Sequence, residues 1–345
     1  ERTFRRKKDA EELSCGFEAL LFSLIVLVMF SACNDEWKEE QFEHYISFKA
    51  PINSNGVTRI NLSYSETGKT TYRLPILVSG STKNDRDITV KIGIDADTLR
   101  TLNIARFSSR EDLWYREMPS KHYSFPETVQ IKAGENVGYL DIEFDLTGLD
   151  LVDKWVLPLT IEDAPNGEYK PNYRKHYRKA LLRVMPFNDY SGTYGGTNLQ
   201  GKLVDAGAGE NEPLVKSEIV TYAIDDETIF FYAGTIDESR QDRRNYKIIA
   251  HFVPNTNIVE LTSDNSENNG FKINTRASSY IEEEMDAVRP YLLRRTVMIR
   301  DVDYEFEDYT LAPGARIKFR FEGTISMQRN INTQIPDKDQ AIEWD

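Results

Sequence analysis

A series of short segments with strict two-residue alternation constrains this chain more than anything else in it. Ile88-Thr89-Val90-Lys91-Ile92-Gly93-Ile94 keeps a period of two without a break, and Ile60, Leu62 and Tyr64 alternate with polar neighbours within Thr58–Tyr64. Successive strand side chains point to opposite faces, so each such segment is a strand with one face buried. Further strands are expected at Tyr45–Phe48, Tyr72–Val78, Val129–Ile131, Tyr139–Phe144, Trp155–Ile161 and Ala180–Val184. Ala133-Gly134-Glu135-Asn136 reads as a turn. Asp97 is placed to cap one short helical stretch, Thr98–Leu102. Seven or eight short strands at this spacing predict an immunoglobulin-like (Ig-like) β-sandwich over residues 44–186.

Pro186-Phe187-Asn188-Asp189 breaks the pattern and marks a domain boundary. The second region, 187–345, opens a new β system, with strands expected at Ile219–Ile224, Thr228–Tyr232, Tyr246–Phe252, Ile258–Leu261, Thr296–Phe306 and Arg316–Met327. Hairpin spacing predicts an antiparallel meander closed into a barrel. One helix is expected to interrupt it. Ser279-Tyr280-Ile281-Glu282 fits a capping box, and Ile281, Met285, Val288 and Leu292 repeat at helical spacing. Pro290 would bend or end that helix, whose expected place is one end of the barrel.

The first 43 residues follow a different logic. An apolar run from Ala19 to Phe30 precedes Ser31-Ala32-Cys33. The run is short for a membrane span, which needs about 20 apolar residues, and it ends in small residues as a cleaved secretory signal does. Residues 1–32 are therefore expected to be a lipoprotein signal, with Cys33 as the lipidated residue. The acidic leader residues and the absence of an initiating Met point to a working signal that begins nearer Gly16. Residues 33–43, with Asn34-Asp35-Glu36 and Lys38-Glu39-Glu40, read as an acidic tether. The only other cysteine, Cys15, lies in the leader, so the body has neither a disulfide nor a thiol nucleophile.

Charge and motifs exclude more than they assign. A formal net charge of −13 argues against a nucleic-acid partner, which would need basic patches. There is no G-x-S-x-G, no H-E-x-x-H and no phosphate-cradling glycine loop. His44, His122, His176 and His251 are scattered without metal-ligand spacing. Asp301, Asp303, Glu305 and Glu307 alternate on one strand face. Calcium can use such oxygens, but a solvated face opposite Val302, Tyr304 and Phe306 is the plainer expectation. No metal, no cofactor and no enzymatic activity are expected.

Sugar rings present apolar C–H faces that pack on flat aromatic rings. Trp114 and Tyr115 sit in a loop-like stretch, SSREDLWYREMPSKHY, with few core signals around them, and are the candidate glycan platform. The competing reading is a buried Trp114. Trp155, beside Val156 and Leu157, is assigned to the core. Tyr169, Tyr173 and Tyr177 lie on a basic-aromatic segment read as a connecting strand.

Several ordered motifs resemble a known family. They are Tyr72-Arg73-Leu74-Pro75, Asp87-Ile88-Thr89-Val90, Leu102-Asn103, Met118-Pro119 before Tyr123, Val129-Gln130-Ile131-Lys132-Ala133-Gly134 and Val156-Leu157-Pro158-Leu159. In that order they resemble an Ig-like domain of unknown function found at the N-terminus of Bacteroidetes surface lipoproteins. Asp303–Tyr309 and Phe321-Glu322-Gly323-Thr324-Ile325 are similar to a lipocalin-like C-terminal domain found behind it. The resemblance implies an all-β protein, an Ig-like β-sandwich followed by a lipocalin-like antiparallel β-barrel with one helix. It also implies an outer-membrane lipoprotein that faces the cell exterior, anchored to the membrane through its lipid. Association with glycan-uptake proteins makes a polysaccharide or oligosaccharide the expected ligand. An adhesin-like or structural role against another surface protein is the alternative.

Overall fold

The computed structural model describes residues 42–205 and 212–344. Cys33, the leader and most of the expected tether lie outside the described residues.

The first region holds strands β1 (Tyr45–Phe48), β2 (Thr58–Ser63), β3 (Lys69–Val78), β4 (Ile88–Ile94), β5 (Tyr115–Glu117) and β6 (Tyr123–Ser124). It continues with β7 (Thr128–Ile131), β8 (Val137–Asp145), β9 (Lys154–Ile161), β10 (Lys170–Pro171) and β11 (Lys179–Phe187). Two sheets form, in the orders β10-β1-β3-β8-β6 and β2-β11-β9-β4-β7, with β5 added beside β9. The alternating positions meet between them. Ile60, Leu62, Val90, Ile92, Leu140, Ile142 and Phe144 all belong to one buried cluster.

Helix α1 (Ala96–Phe107) is longer than expected and starts earlier. Its cap is Asp95 rather than Asp97. The Asp95 carboxylate accepts from the Thr98 N–H (3.1 Å) and the Thr98 hydroxyl (2.7 Å), and it pairs with Lys179. Thr98 in the first turn and Lys179 outside the helix select Asp95, while Asp97 joins the first turn.

The second region holds β12 (Gly192–Gly195), β13 (Leu199–Leu203), β14 (Leu214–Val215), β15 (Glu218–Ala223), β16 (Thr228–Tyr232) and β17 (Lys247–Phe252). It ends with β18 (Ile258–Thr262), β19 (Lys272–Thr275), β20 (Ala277–Met285), β21 (Leu292–Asp308), β22 (Ile317–Asn332) and β23 (Ile342–Glu343). Eight of these strands close an antiparallel ring, β12-β15-β16-β17-β18-β20-β21-β22, completed where β22 pairs β12. Tyr194, Phe231, Tyr246, Tyr304 and Phe321 are fully buried in the same cluster, so the barrel is packed with rings rather than hollow.

The helix expected across Ser279–Leu292 is absent. Those residues form β20, a turn and the start of β21. Pairing runs from Ser278↔Arg300 to Met285↔Leu293, which sets Glu283 and Glu284 opposite Arg295 and Arg294. The helical spacing of Ile281, Met285 and Val288 was misleading, because these side chains are exposed. Cross-strand pairing of a long hairpin outweighs a local period that buries nothing. The segment that folds over the ring cluster is instead Ala233–Tyr246, between β16 and β17, where the Gly234 N–H donates to the Tyr304 hydroxyl (3.0 Å).

β21 carries a bulge between Ile299 and Val302, with Asp301 at φ +58°. One extra residue reverses the side-chain parity. Val297 and Ile299 point inward before it, and Val302, Tyr304 and Phe306 after it. The new parity also carries Asp308 inward, to 3 % exposure. Its carboxylate takes two bonds from the Arg240 guanidinium, one from the Tyr246 hydroxyl (2.9 Å) and one each from the Thr310 and Leu311 N–H groups.

Burial would raise the Asp308 pKa, but Arg240 and these hydrogen bonds outweigh it and hold the pKa down at about 2. A folded-state pKa below the unfolded value of about 3.9 stabilises the fold above that pH and loses the contribution as pH falls through the folded value. The urea midpoint is therefore expected to hold above about pH 4 and fall between about pH 4 and 2. Asp308→Asn should lower stability at neutral pH by about 2 kcal/mol and flatten part of that acid limb. Identical acid limbs in the variant and the parent would contradict this role.

Candidate functional site

The two regions meet through a dense polar junction. Its first part is the Ala233–Tyr246 segment. Buried Arg243 donates to the Val152 carbonyl (3.0 Å) and the Asp112 carbonyl (3.2 Å), both in the first region. Arg244 pairs with Asp150 and Asp153. Glu238 pairs with Lys154 (3.1 Å) and Arg183 (3.5 Å) and accepts from the Tyr222 hydroxyl. Burial pushes the Glu238 pKa up, but Lys154 and Arg183 outweigh it, so its pKa lies below the ordinary value.

The second part is the connection itself. Asn188 is buried, and its amide donates to the Asp225 carbonyl (2.7 Å) and the Thr228 carbonyl (3.2 Å). Its side-chain oxygen accepts from the N–H groups of Tyr190 (3.0 Å) and Ser191 (2.8 Å). Arg329 binds the Asn188 and Ser191 carbonyls from below, at 3.0 and 2.5 Å. Such a connection is a fixed turn, and the walls beside it keep a set spacing.

Beside this turn runs a groove of about 790 Å³, within the range of pockets that take ligands of drug size. Tyr64 and Ser65 line one wall, and Tyr190, Asp226, Glu227 and Asn332 line the others. One face of the Tyr190 ring is stacked on Phe252, with centroids 3.7 Å apart and planes within 7°. That stack fixes the ring's tilt. Asp189 is held at the rim by Arg295 (3.1 Å). Half-buried phenol rings among carboxylates, an amide and hydroxyls supply the two kinds of contact a sugar needs. Rings meet its C–H faces, and oxygens and N–H groups meet its hydroxyls. A second hollow, about 600 Å³ and lined by Phe48, Ile52, Val78 and Tyr177, is apolar and suits hydroxyls poorly.

The residues singled out from sequence lie elsewhere. Tyr115 is buried and cannot present a ring face, which corrects its place in the expected platform. Asn103 holds its backbone N–H and carbonyl at 2.8 and 2.9 Å, and its ring packs edge-on against Phe107. Trp114 is half-buried. Its indole N–H donates to the Ser108 carbonyl (3.2 Å), and it does not line the junction groove. Trp155 is half-buried and packs against the core cluster, its indole N–H on the Asp150 carbonyl (2.8 Å). Tyr169 is buried, whereas Tyr173 and Tyr177 are exposed, in a segment that is part short strand and part helical turn.

On β21, Asp303 pairs with Arg320, Glu305 with Lys318 and Glu307 with Arg316, so these alternating carboxylates face cations on β22 and on the residue just before it. Among the described residues, no group of three or more His, Cys, Asp or Glu is arranged to hold a metal. The groove residues were missed because Asn188-Asp189 was read only as a domain boundary, and Asp225–Glu227 fell between two expected strands without a signal of their own. Their position at a domain boundary was the available signal, since ligand sites favour domain interfaces.

A family described as a domain of unknown function (DUF4973) matches residues 37–165, and a second family, described as a C-terminal domain, matches 178–326. No curated protein matches the chain. Three solved structures are similar over nearly the whole length. A multidomain protein including DUF1735 from Bacteroides ovatus is 44 % identical, with a TM-score of 0.78, covering 87 % of this chain and 100 % of that one. An auxiliary nutrient binding protein from Bacteroides thetaiotaomicron is 44 % identical, with a TM-score of 0.77, covering 88 % and 100 %. A protein of unknown function from Bacteroides ovatus is 35 % identical, with a TM-score of 0.76, covering 89 % and 97 %. At this identity and coverage, the chain belongs to the family of these two-domain Bacteroides proteins.

Proposed function

We propose that this protein is a non-enzymatic outer-membrane lipoprotein, exposed at the cell surface, that binds a glycan nutrient in the junction groove and presents it to an uptake system. The observation that carries the reading is the groove, with Tyr64 and Tyr190 set among Asp226, Glu227 and Asn332 beside a rigid turn. The relative described as an auxiliary nutrient binding protein supports the nutrient half of the reading. The apolar run before Cys33 and the acidic residues after it support the anchored, outward-facing half. Asp226 and Glu227 are half-buried in the groove and Asp189 is paired with Arg295 at its rim, so polar contacts to hydroxyls are the chemistry on offer.

Binding is tested by screening the protein on a broad polysaccharide array and measuring any hit by calorimetry. A hit confined to one polysaccharide class is expected. Asp226→Asn and Tyr64→Ala should each weaken it at least tenfold while far-UV circular dichroism stays unchanged. A blank array with folded protein, or full affinity in both variants, would overturn the reading. Anchoring is tested separately. Cys33→Ala should abolish palmitate labelling and release the protein from the membrane fraction, and continued labelling would refute the assignment of Cys33.

A further inference from the structure

A smaller pocket, about 250 Å³, shares Phe187 with the groove and lies between β2, β11 and the second region. Its lining has an unusual charge balance for a chain of net charge −13. Arg59 and Arg183 both face it, and Glu238 is its one carboxylate. That carboxylate is already committed to Lys154, Arg183 and the Tyr222 hydroxyl. Three cations around one anion leave two positive charges uncompensated.

Its hydrogen-bond donors are also in excess. The Arg183 Nε and the Trp344 Nε1 are buried, and neither has an acceptor. A buried donor without an acceptor is costly, so such groups in a native fold call for an explanation. The Arg59 guanidinium lies over the Trp344 ring, 5.7 Å from its centroid, and Arg329 lies 5.6 Å from the same ring. Trp344 also packs edge-on against Phe187 (4.8 Å), which fixes the indole. Arg59 is exposed by surface area at the mouth. Even so, burial of its head and then the Arg183 charge lower its pKa, as expected where two cations share a site short of anions.

We propose that this pocket binds an anionic group, a carboxylate or sulfate carried on a sugar-sized ligand, with Arg59 and Arg183 as charge partners and the Trp344 indole N–H as a further donor. Planar guanidinium forks suit both oxyanions. The volume is below the about 300–1,000 Å³ of pockets for larger ligands, so the pocket takes one charged unit rather than a chain. Thr193 on the lining offers a hydroxyl to that unit, and Asn61 accepts from the Arg59 Nε (2.9 Å), which orients that guanidinium. The pocket is distinct from the groove and does not depend on the groove binding a neutral glycan.

The test is calorimetric titration of the full protein with sodium glucuronate, with glucose 6-sulfate and with glucose, at one ionic strength held with sodium chloride. Saturable binding of glucuronate, of glucose 6-sulfate or of both is expected, and which one binds identifies the source of the charge. Glucose should bind at least tenfold more weakly. Arg59→Gln, at the exposed mouth, should weaken the anion at least tenfold without unfolding the protein. Trp344→Phe, which keeps a ring but removes the N–H, should weaken it by a smaller factor. Absence of saturable binding by either anion, equal binding of glucose, or unchanged affinity in Arg59→Gln would overturn the proposal. Asp226→Asn should leave this binding unchanged, which separates its failure from failure of the groove.

Discussion

The buried junction between the sandwich and the barrel is the constraint on which the rest of this molecule depends. Arg243 reaches across it to two backbone carbonyls, and Glu238 sits among Lys154, Arg183 and Tyr222. A buried guanidinium resists displacement, because each lost hydrogen bond leaves a charge without partner or water. The contribution of such groups is to fix one geometry more than to add affinity. The same segment turns inward through Arg240 to Asp308, so the clasp on the sandwich and the packing of the barrel are one hydrogen-bonded system.

What the junction fixes is the spacing of walls that neither domain has alone. Tyr64 comes from the sandwich, Tyr190 from the connection, and Asp226 and Asn332 from the barrel. The pocket around Trp344 is likewise composite, with Arg59 and Arg183 on sandwich strands and Thr193 and Val220 on barrel strands. The barrel interior is packed with buried rings, among them Tyr194, Phe231, Tyr304 and Phe321. The proposed binding chemistry lies at the seam.

Much of the fold was legible because strands with one buried face print a two-residue period. Ile88–Ile94 is found at its expected bounds, and β16 announces itself as an unbroken apolar run because it is buried on both faces. The helix expected at Ser279 failed for a physical reason. Helical periodicity is local, whereas the partner strand of β20 begins only after the turn, and its arginines opposite Glu283 and Glu284 carry no periodic signal. The site was less legible. Trp114 and Tyr115 stood out by residue type, but the fate of Tyr115 was decided by Asn103, a helix residue that holds its backbone. Tyr190 stood at the start of the second β system and Asp226 between two strands. Their proposed role arises only when chain segments far apart in sequence meet, which no local pattern records.

The central claim, that the buried junction makes one rigid body of two domains, is tested most directly by differential scanning calorimetry of the two-domain protein. A single transition is expected, with calorimetric and van't Hoff enthalpies in agreement. Two resolved transitions would show that the sandwich and barrel unfold independently, and would contradict a junction that sets the geometry of either pocket.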